Sequence, residues 1–505
     1  MFEAGRIKHQ KTALFLSGVL ASTGFAPIYA VPVFMACLCF CFYLLDQAKT
    51  YKQSAVKGYL FGFGFFSAGF YWIANALLID AATFGWLYPI TLLATGACFG
   101  VFFIFPFMVW HFFKTPNVFC KVSAFSCVMV LMEYLRSFLF SGFPWNMIGS
   151  MWGFSDIMIQ TASIWGTYGL SFMLLFLTGS VYALFQKKYK ASFSIIFSVL
   201  SFMIVFGLWR LGVYEDVLSN LKVRLVQPSI AQDMKWDRQA LEEHVKTYVD
   251  MSRKDGFGDV KFVVWGETAT AFNPKDSTYW QKVISRAVPQ NGYLMTGVLR
   301  YDELNDKLYN SMSVIDDKGE TLEFYDKSHL VPFGEYIPFR EYLPSWVRPV
   351  ANQIADFSVG EKYKILKVSG LPTFGALICY EIIFPDEIIH RKNKPSFVVL
   401  VSNDGWYGNS SGPYQHFLSA RLRAVEEGIT VVRSANNGIS AVIGPLGQVL
   451  GKIGLNEVGA LDVYLPQNMT EDTLYSHVGG KGIQYVMCFI LLVLLAFKNK
   501  RLISQ

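Results

Sequence analysis

Phe374-Gly-Ala-Leu-Ile-Cys379-Tyr-Glu381 is an apolar run that stops on a thiol. The pattern recurs twice. Phe262-Val-Val-Trp-Gly-Glu267 stops on a carboxylate, and Phe397-Val-Val-Leu-Val-Ser-Asn403-Asp404 on an amide and an acid. Short, continuous β-branched runs read as strands covered on both faces. In α/β sheets ligands bind beyond the carboxyl ends of the strands. A thiol and a carboxylate in such places can converge although far apart in sequence.

Further strands are expected at Lys222–Val226, Tyr293–Val298, Ser311–Ile315, Thr430–Arg433 and Ser440–Ile443. Helices are expected at Arg238–Ser252, Tyr279–Ala287 and Tyr414–Glu427. Residues 214–476 therefore read as one α/β domain, with no internal repeat and no low-complexity linker.

The rest of the chain is of another kind. Charged residues make up 16% of the sequence, against about a quarter in ordinary soluble domains. Mean hydropathy is +0.33. Apolar runs lie near Thr12–Ala26, Tyr29–Leu45, Leu60–Leu78, Leu87–Val109, Val122–Phe138, Ile164–Phe185, Phe193–Leu211 and Val478–Phe497. That predicts about eight transmembrane helices, each near the ~20 residues needed to cross hydrocarbon. Residues 1–213 would hold all but the last, and residues 477–505 a final helix and tail. A second apolar run follows the first at once, so residues 1–26 read as an uncleaved span, not a signal peptide.

Every second loop is basic. Arg6, Lys8 and Lys11 precede the first span; Lys49, Lys52 and Lys57 follow the second. Lys114 and Lys121, then Lys187, Lys188 and Lys190, then Lys498, Lys500 and Arg501 continue the alternation. The positive-inside rule puts both termini in the cytoplasm and the α/β domain on the other side. Trp72, Trp86, Trp145, Trp152 and Trp209 are expected near that outer face as interfacial anchors. The net charge of +6 reflects these loops and is no nucleic-acid footprint. Of the 8 cysteines only Cys379 lies in the polar stretch, so that stretch has no internal disulfide. No Cys/His cluster has zinc spacing, and no metal or cofactor is expected.

A third polar element is Tyr325-Asp-Lys327-Ser-His329-Leu-Val-Pro-Phe-Gly-Glu335-Tyr-Ile-Pro338. So much charge among prolines and aromatics suits an ordered loop with a task. A thiol is a weak nucleophile until deprotonated. Glu267 can take the proton, Lys327 can stabilise thiolate and oxyanion, and Glu335 can orient Lys327 or assist proton transfer. The amide N–H after Cys379 is a second candidate oxyanion donor.

This Glu–Lys–Cys set resembles the nitrilase superfamily, whose fold is an αββα sandwich. The spans narrow the resemblance to the apolipoprotein N-acyltransferase family. Segments similar to that family include Gly24-Phe-Ala-Pro27, Gly69-Phe-Tyr-Trp-Ile73, Gly142-Phe-Pro-Trp145, Leu225-Val-Gln-Pro228, Lys235-Trp236, Cys379-Tyr-Glu381, Gly412-Pro-Tyr-Gln-His416, Ala420-Arg-Leu-Arg-Ala424 and Asn436-Asn-Gly-Ile-Ser440. The resemblance implies Glu267 as general base, Lys327 as transition-state stabiliser, Cys379 as nucleophile and Glu335 as an additional catalytic glutamate. It implies that Trp236 contacts substrate and that Tyr380 and Glu381 support the nucleophile. The implied reaction moves an acyl chain from a phospholipid, phosphatidylethanolamine first, through a Cys379 thioester. The acceptor is the α-amine of a diacylglyceryl-cysteine on an apolipoprotein, at a bacterial inner membrane. Two positions depart from the pattern: Gly266 stands where proline is usual, and Asp404-Gly-Trp-Tyr407 where Asp-Ala-Trp-Phe is usual. The same triad would also suit a membrane-tethered amidase, for which about eight spans are more than a tether needs.

Other polar residues take structural readings. His329 and His416 are expected as hydrogen-bonders, and Arg421 and Arg423 as partners of Glu426 and Glu427. Glu133 and Arg136, spaced i,i+3, pair on one helix face or snorkel outward. Trp145 is a candidate for shaping a lipid entrance. With no heptad or obvious dimer face, a monomer is expected.

Overall fold

The computed structural model describes residues 2–503, apart from 114, 116, 215–217, 236–238, 345–347, 351–354, 468 and 470. The chain divides into two compact units, Met1–Tyr214 with Thr473–Gln505, and Glu215–Asp472.

The first unit is helical. Its main helices are Phe2–Ala21, Val31–Asp46, Tyr51–Gly69, Val118–Arg136, Ala162–Phe185, Tyr189–Val213 and Leu474–Ile503, with an apolar helical stretch over Ala81–Phe112. Each expected span overlaps one of these. Among the described residues, 5 are long and apolar enough to cross a membrane, or up to 6 if Tyr51–Gly69 and Tyr71–Leu78, bent by 43°, count as one span. The helix at Phe2–Ala21 falls short because its first half carries Arg6, Lys8 and Lys11, and Val31–Asp46 has only 16 residues.

Close helix contact rests on small residues, as it does in membranes, where lipid is as apolar as leucine. A Cβ on Gly18 would lie 2.0 Å from the Phe61 carbonyl oxygen, and one on Gly64 would lie 2.1 Å from that of Phe15. Asp46 ties other helices together. Its carboxylate accepts from Trp110 Nε1, Lys121 Nζ, Tyr182 Oη and Gln186 Nε2 at 2.8–2.9 Å.

Two expectations for this unit need correction. Glu133 and Arg136 do not snorkel; both are buried. Glu133 Oε1 accepts from the Ile148 amide at 2.6 Å, and Arg136 Nη1 donates to the Phe143 and Trp145 carbonyls at 2.6 Å. They bond backbone groups of the segment that follows their helix, as buried polar side chains do where backbone leaves regular helix. Trp145 is packed against Trp72 with ring centroids 4.4 Å apart. Trp72, Trp145 and Trp152 are buried inside the unit, whereas Trp86 and Trp209 are exposed as anchors would be.

The second unit is a sandwich of two 6-stranded sheets. In chain order the strands are β1 (Leu218–Gln227), β2 (Phe262–Val264), β3 (Tyr293–Asp302), β4 (Lys307–Asp316), β5 (Thr321–Asp326), β6 (Ile365–Leu366), β7 (Phe374–Ile378), β8 (Phe397–Ser402), β9 (Val431–Ala435), β10 (Ser440–Ile443), β11 (Val449–Ile453) and β12 (Gly459–Pro466). The first sheet runs β12-β1-β2-β3-β4-β5 and the second β11-β10-β9-β8-β7-β6. Pairing is parallel only in the middle, β1 with β2 and β2 with β3 in one sheet, β7 with β8 and β8 with β9 in the other. The apolar runs first noticed in the sequence are these central strands.

The inner faces interdigitate. Val223, Leu225, Phe262, Val264 and Met295 meet Phe374, Ala376, Ile378, Phe397 and Val399 in one core. Helices Leu241–Ser252 and Thr278–Ser285 cover the outside of the first sheet through Val245, Tyr248, Trp265 and Ile284. Helix Gly412–Glu427 packs against the second sheet. The layers are αββα. The expected helix at Arg238 starts at Leu241, and residue 238 lies outside the described residues.

Phe397 stacks on both Phe262 and Phe374, with centroids 5.7 and 5.3 Å away, and so bridges the sheets. Phe397→Ala is expected to destabilise the sandwich by about 3–5 kcal/mol, read as a lowered unfolding temperature of the detergent-solubilised protein.

Candidate active site

Strand ends place the candidate groups, two of them on central strands and one on the edge strand β5. Glu267 follows β2, Lys327 follows β5, and Cys379 follows β7. Glu335 lies eight residues beyond Lys327, in the proline-rich loop.

Glu267, Lys327 and Glu335 are buried together. Lys327 Nζ donates to Glu335 Oε1 at 2.9 Å and reaches Glu267 Oε1 at 3.4 Å. Asn310 Nδ2, on β4, donates to Glu267 Oε1 at 2.8 Å and to Glu335 Oε1 at 3.0 Å. The Asn310 carbonyl also accepts from the Lys327 amide at 2.8 Å. Glu335 Oε2 accepts from the Val331 amide at 2.8 Å and so closes its own loop. Glu267 Oε2 is buried with no hydrogen-bond partner among the described residues. Burial works to lower the pKa of Lys327, but Glu335, Glu267 and the Cys379 sulfur outweigh it and raise it above the usual lysine range. Lys327 is therefore a fixed cation at any working pH.

Cys379 is almost fully buried. Its φ of +50° is in the left-handed region, which strains a residue with a Cβ. Two contacts hold the turn. Glu381 Oε2 accepts from the Ile378 amide at 2.7 Å, and His416 Nε2 lies 3.0 Å from the Cys379 carbonyl oxygen. Burial, then Glu267, push the thiol up to about 12; Lys327 and an Asn403 backbone hydrogen bond act the other way. At rest it is a thiol, with the charges of Glu267 and Lys327 close enough to govern it.

Glu381 is the link between these parts. Its Oε1 accepts from Tyr325 Oη, the Ser328 amide and hydroxyl, and the His329 amide, at 2.7–3.1 Å. One carboxylate thus clamps the segment after Lys327 to the strand end before Cys379. Tyr380 packs edge-on against His329 and Phe384. Trp236 lies outside the described residues.

Several members of the site were not anticipated. Asn310 sits one residue before the expected strand start at Ser311. Lys235 is buried, and its Nζ donates to the Glu267 carbonyl at 2.8 Å; burial lowers its pKa to about 8. Asp404 joins His416 Nδ1 at 2.9 Å, Arg433 Nη2 at 2.7 Å and Ser402 Oγ at 2.9 Å. Burial opposes the ionised form of Asp404, but Arg433 and His416 hold it well below the usual carboxylate range. Cys379, Asp404 and His416 are spaced as metal ligands would be. Yet Asp404 spends both oxygens on hydrogen bonds and sits against a guanidinium, which suits a relay that fixes the Cys379 carbonyl. His329 Nδ1 meets Glu387 at 2.8 Å, as a structural reading expects. Arg423 pairs with Glu426, and Arg421 donates to the Gly447 carbonyl.

Gly266 packs closely against neighbouring backbone. A Cβ there would lie 2.7 Å from the Asn436 nitrogen. The strand end is nevertheless pinned, by Gly297 N to Gly266 O and Glu267 N to Ser402 O, both 3.2 Å.

Residues 222–475 match the carbon-nitrogen hydrolase family, and residues 17–180 match the apolipoprotein N-acyltransferase N-terminal domain. The apolipoprotein N-acyltransferase of Rickettsia prowazekii is 33% identical over 489 residues, covering 96% of this chain and 97% of its own. The chain belongs to the apolipoprotein N-acyltransferase family. The Brucella melitensis apolipoprotein N-acyltransferase is 36% identical over 457 residues, 88% of this chain and 84% of its own. Among solved structures, Saccharomyces cerevisiae Nit3 of the nitrilase superfamily covers 50% of this chain and 92% of its own, at 21% identity and a TM-score of 0.38. Membership makes this protein a membrane acyltransferase with a nitrilase-like domain.

Glu381→Gln tests the clamp. One of the two oxygens becomes an NH2 facing a donor, and a buried donor loses its acceptor, at a cost of about 1–3 kcal/mol. Displacing Lys327 from Cys379 should cut acyl-enzyme formation by about 100-fold, as followed by intact mass. Parent-like rates would show that the clamp does not set the geometry.

Proposed function

We propose that this protein carries an acyl chain from a phospholipid, phosphatidylethanolamine in the first instance, to an apolipoprotein. Cys379 is the carrier, and the acceptor is the α-amine of the N-terminal diacylglyceryl-cysteine. The observation that carries this reading is Glu267 Oε2, buried with no hydrogen-bond partner among the described residues, while Glu267 Oε1 and Glu335 Oε1 are held by Lys327 and Asn310 and Glu335 Oε2 by the Val331 amide.

In the first half-reaction Glu267 takes the thiol proton and Cys379 Sγ attacks the ester carbonyl. Lys327 Nζ and the Tyr380 amide N–H stabilise the oxyanion. The oxyanion collapses, the lysophospholipid oxygen leaves, and Glu267 returns the proton to it. In the second half-reaction the α-amine attacks the thioester, Glu267 accepts its proton, and the Cys379 thiolate departs and is reprotonated. Glu335 holds Lys327 in place throughout. Trp236 is assigned to substrate contact by family resemblance.

Lipid substrates fit the loop that carries Glu335. It exposes Phe333, Phe339, Tyr342 and Leu343, an apolar group of the kind that marks an interaction surface. The alternation of basic loops supports an inner-membrane protein with both termini cytoplasmic and residues 214–476 on the periplasmic face. We assign it as a monomer, from the absence of a heptad pattern.

Intact mass after incubation with phosphatidylethanolamine tests the reading. A gain of one acyl chain is expected, labile to hydroxylamine, absent in Cys379→Ser and discharged by a diacylglyceryl-cysteine peptide. No gain on folded protein with a free thiol would reject it, and hydrolysis of soluble amides instead would favour an amidase.

Glu267→Gln has a pH signature. Without the base, reaction depends on spontaneous thiolate, and the fraction of thiolate grows about tenfold per pH unit below the thiol pKa. Acylation should fall by about 100-fold or more near pH 7, with the deficit shrinking as pH rises. A pH-independent deficit would contradict the general-base role.

A further inference from the structure

The 3₁₀ turn Asp404–Tyr407 places a phenol beside the reacting sulfur. Tyr407 Oη lies 3.9 Å from Cys379 Sγ. That is long for a hydrogen bond, but contacts to a nucleophile commonly tighten once it is charged or substrate is bound. The ring is held in place. It packs edge-on against His416 at 5.8 Å between centroids, and the Tyr407 carbonyl accepts from Ser410 Oγ at 2.8 Å. His416 in turn lies 3.0 Å from the Cys379 carbonyl oxygen, so phenol and nucleophile are referenced to one imidazole.

We propose that Tyr407 is a further catalytic residue: its hydroxyl donates a hydrogen bond to Cys379 Sγ whenever the sulfur is anionic. This deepens the proposed thioester chemistry and rests on Cys379 being the nucleophile. Proton accounting is simple. Glu267 removes the thiol proton, the phenol keeps its own, and the hydroxyl turns toward the sulfur lone pair. The thiolate appears twice, as nucleophile in the first half-reaction and as leaving group in the second, and the donor acts both times. Lys327 cannot fill this role alone, because it also serves Glu335, Glu267 and the oxyanion.

The phenol is suited to donating without ionising. Burial, and then the negative field of Cys379, Asp404 and Glu267, raise its pKa well above the ordinary tyrosine range. The charged or titratable groups around the sulfur are Glu267, Lys327, Asp404, Lys235, His416 and Tyr407 itself. Of these, Tyr407 has a hydroxyl beside the sulfur that stays protonated across the working pH range.

A hydrogen bond to an ion is worth about one unit of thiol pKa or more. Losing it cuts the thiolate population about tenfold but makes the remaining thiolate about threefold more nucleophilic. The expected net result is an alkylation rate about threefold lower below the thiol pKa.

The test is iodoacetamide alkylation of the full-length detergent-solubilised protein across pH, followed by mass of the peptide containing Cys379. Tyr407→Phe removes one oxygen and leaves the ring on His416; it should slow alkylation by about threefold. Tyr407→Leu, the second variant, removes ring and hydroxyl and should slow it at least as much. Profiles for Tyr407→Phe that overlay the parent would overturn the proposal. So would slowing in Tyr407→Leu alone, which would assign the effect to ring packing. The assay uses no lipid, so slower alkylation in a protein that forms no acyl-enzyme with phospholipid would reject the acyl-transfer reading and keep the Tyr407 contact.

Discussion

One buried ammonium between two buried carboxylates governs the catalytic unit. Lys327, Glu267 and Glu335 are all withdrawn from water, where an unpaired charge would cost several kcal/mol. Each therefore depends on the others. Asn310 spreads the load by donating to both carboxylates, and its own backbone fixes Lys327. The arrangement leaves one oxygen of Glu267 unused, and an unused basic oxygen in a dry site is what proton removal from a high-pKa thiol needs. Stability and chemistry draw on the same hydrogen bonds.

Cys379, the proposed nucleophile, is held by a second set of constraints. Cys379 adopts a strained backbone, and such strain persists only where the surroundings over-determine it. Glu381 and His416 do so from two sides. Because Glu381 also grips Ser328 and His329, the lysine loop and the cysteine turn behave as one piece. The parallel pairing of β7 with β8 carries this order to Asn403 and Asp404. Lys327, Glu267 and Cys379 are fixed before any substrate arrives, which is how electrostatic stabilisation avoids reorganisation cost.

The central strands and their polar stops were legible in the sequence because a fully buried parallel strand is a continuous apolar run. Glu267 and Cys379 announced themselves by ending such runs. Asn310 did not: it is one polar residue inside β4, and its importance comes from side-chain bonds to Glu267 and Glu335, which no local pattern carries. The edge strands were harder still. β6 is two residues long, and β12 is recognisable only through its antiparallel partner β1, far away in sequence. The Asp404–His416–Arg433 network joins three separate segments and has no spacing signature. In the helical unit hydropathy located the apolar helices but could not separate exposed tryptophans from packed ones, so buried Trp72, Trp145 and Trp152 read the same as exposed Trp86 and Trp209.

The most direct measurement compares Lys327→Met with the double variant Lys327→Met/Glu335→Gln, scoring each for unfolding temperature and for acyl-enzyme formation by intact mass. If Lys327 neutralises buried carboxylates, the single variant loses about 3–5 kcal/mol, and removing the Glu335 charge as well restores most of that stability. Neither variant should form the acyl-enzyme, since the oxyanion has lost its cation. A single variant as stable as the parent, or acyl-enzyme formed at the parent's rate by either, would contradict the account.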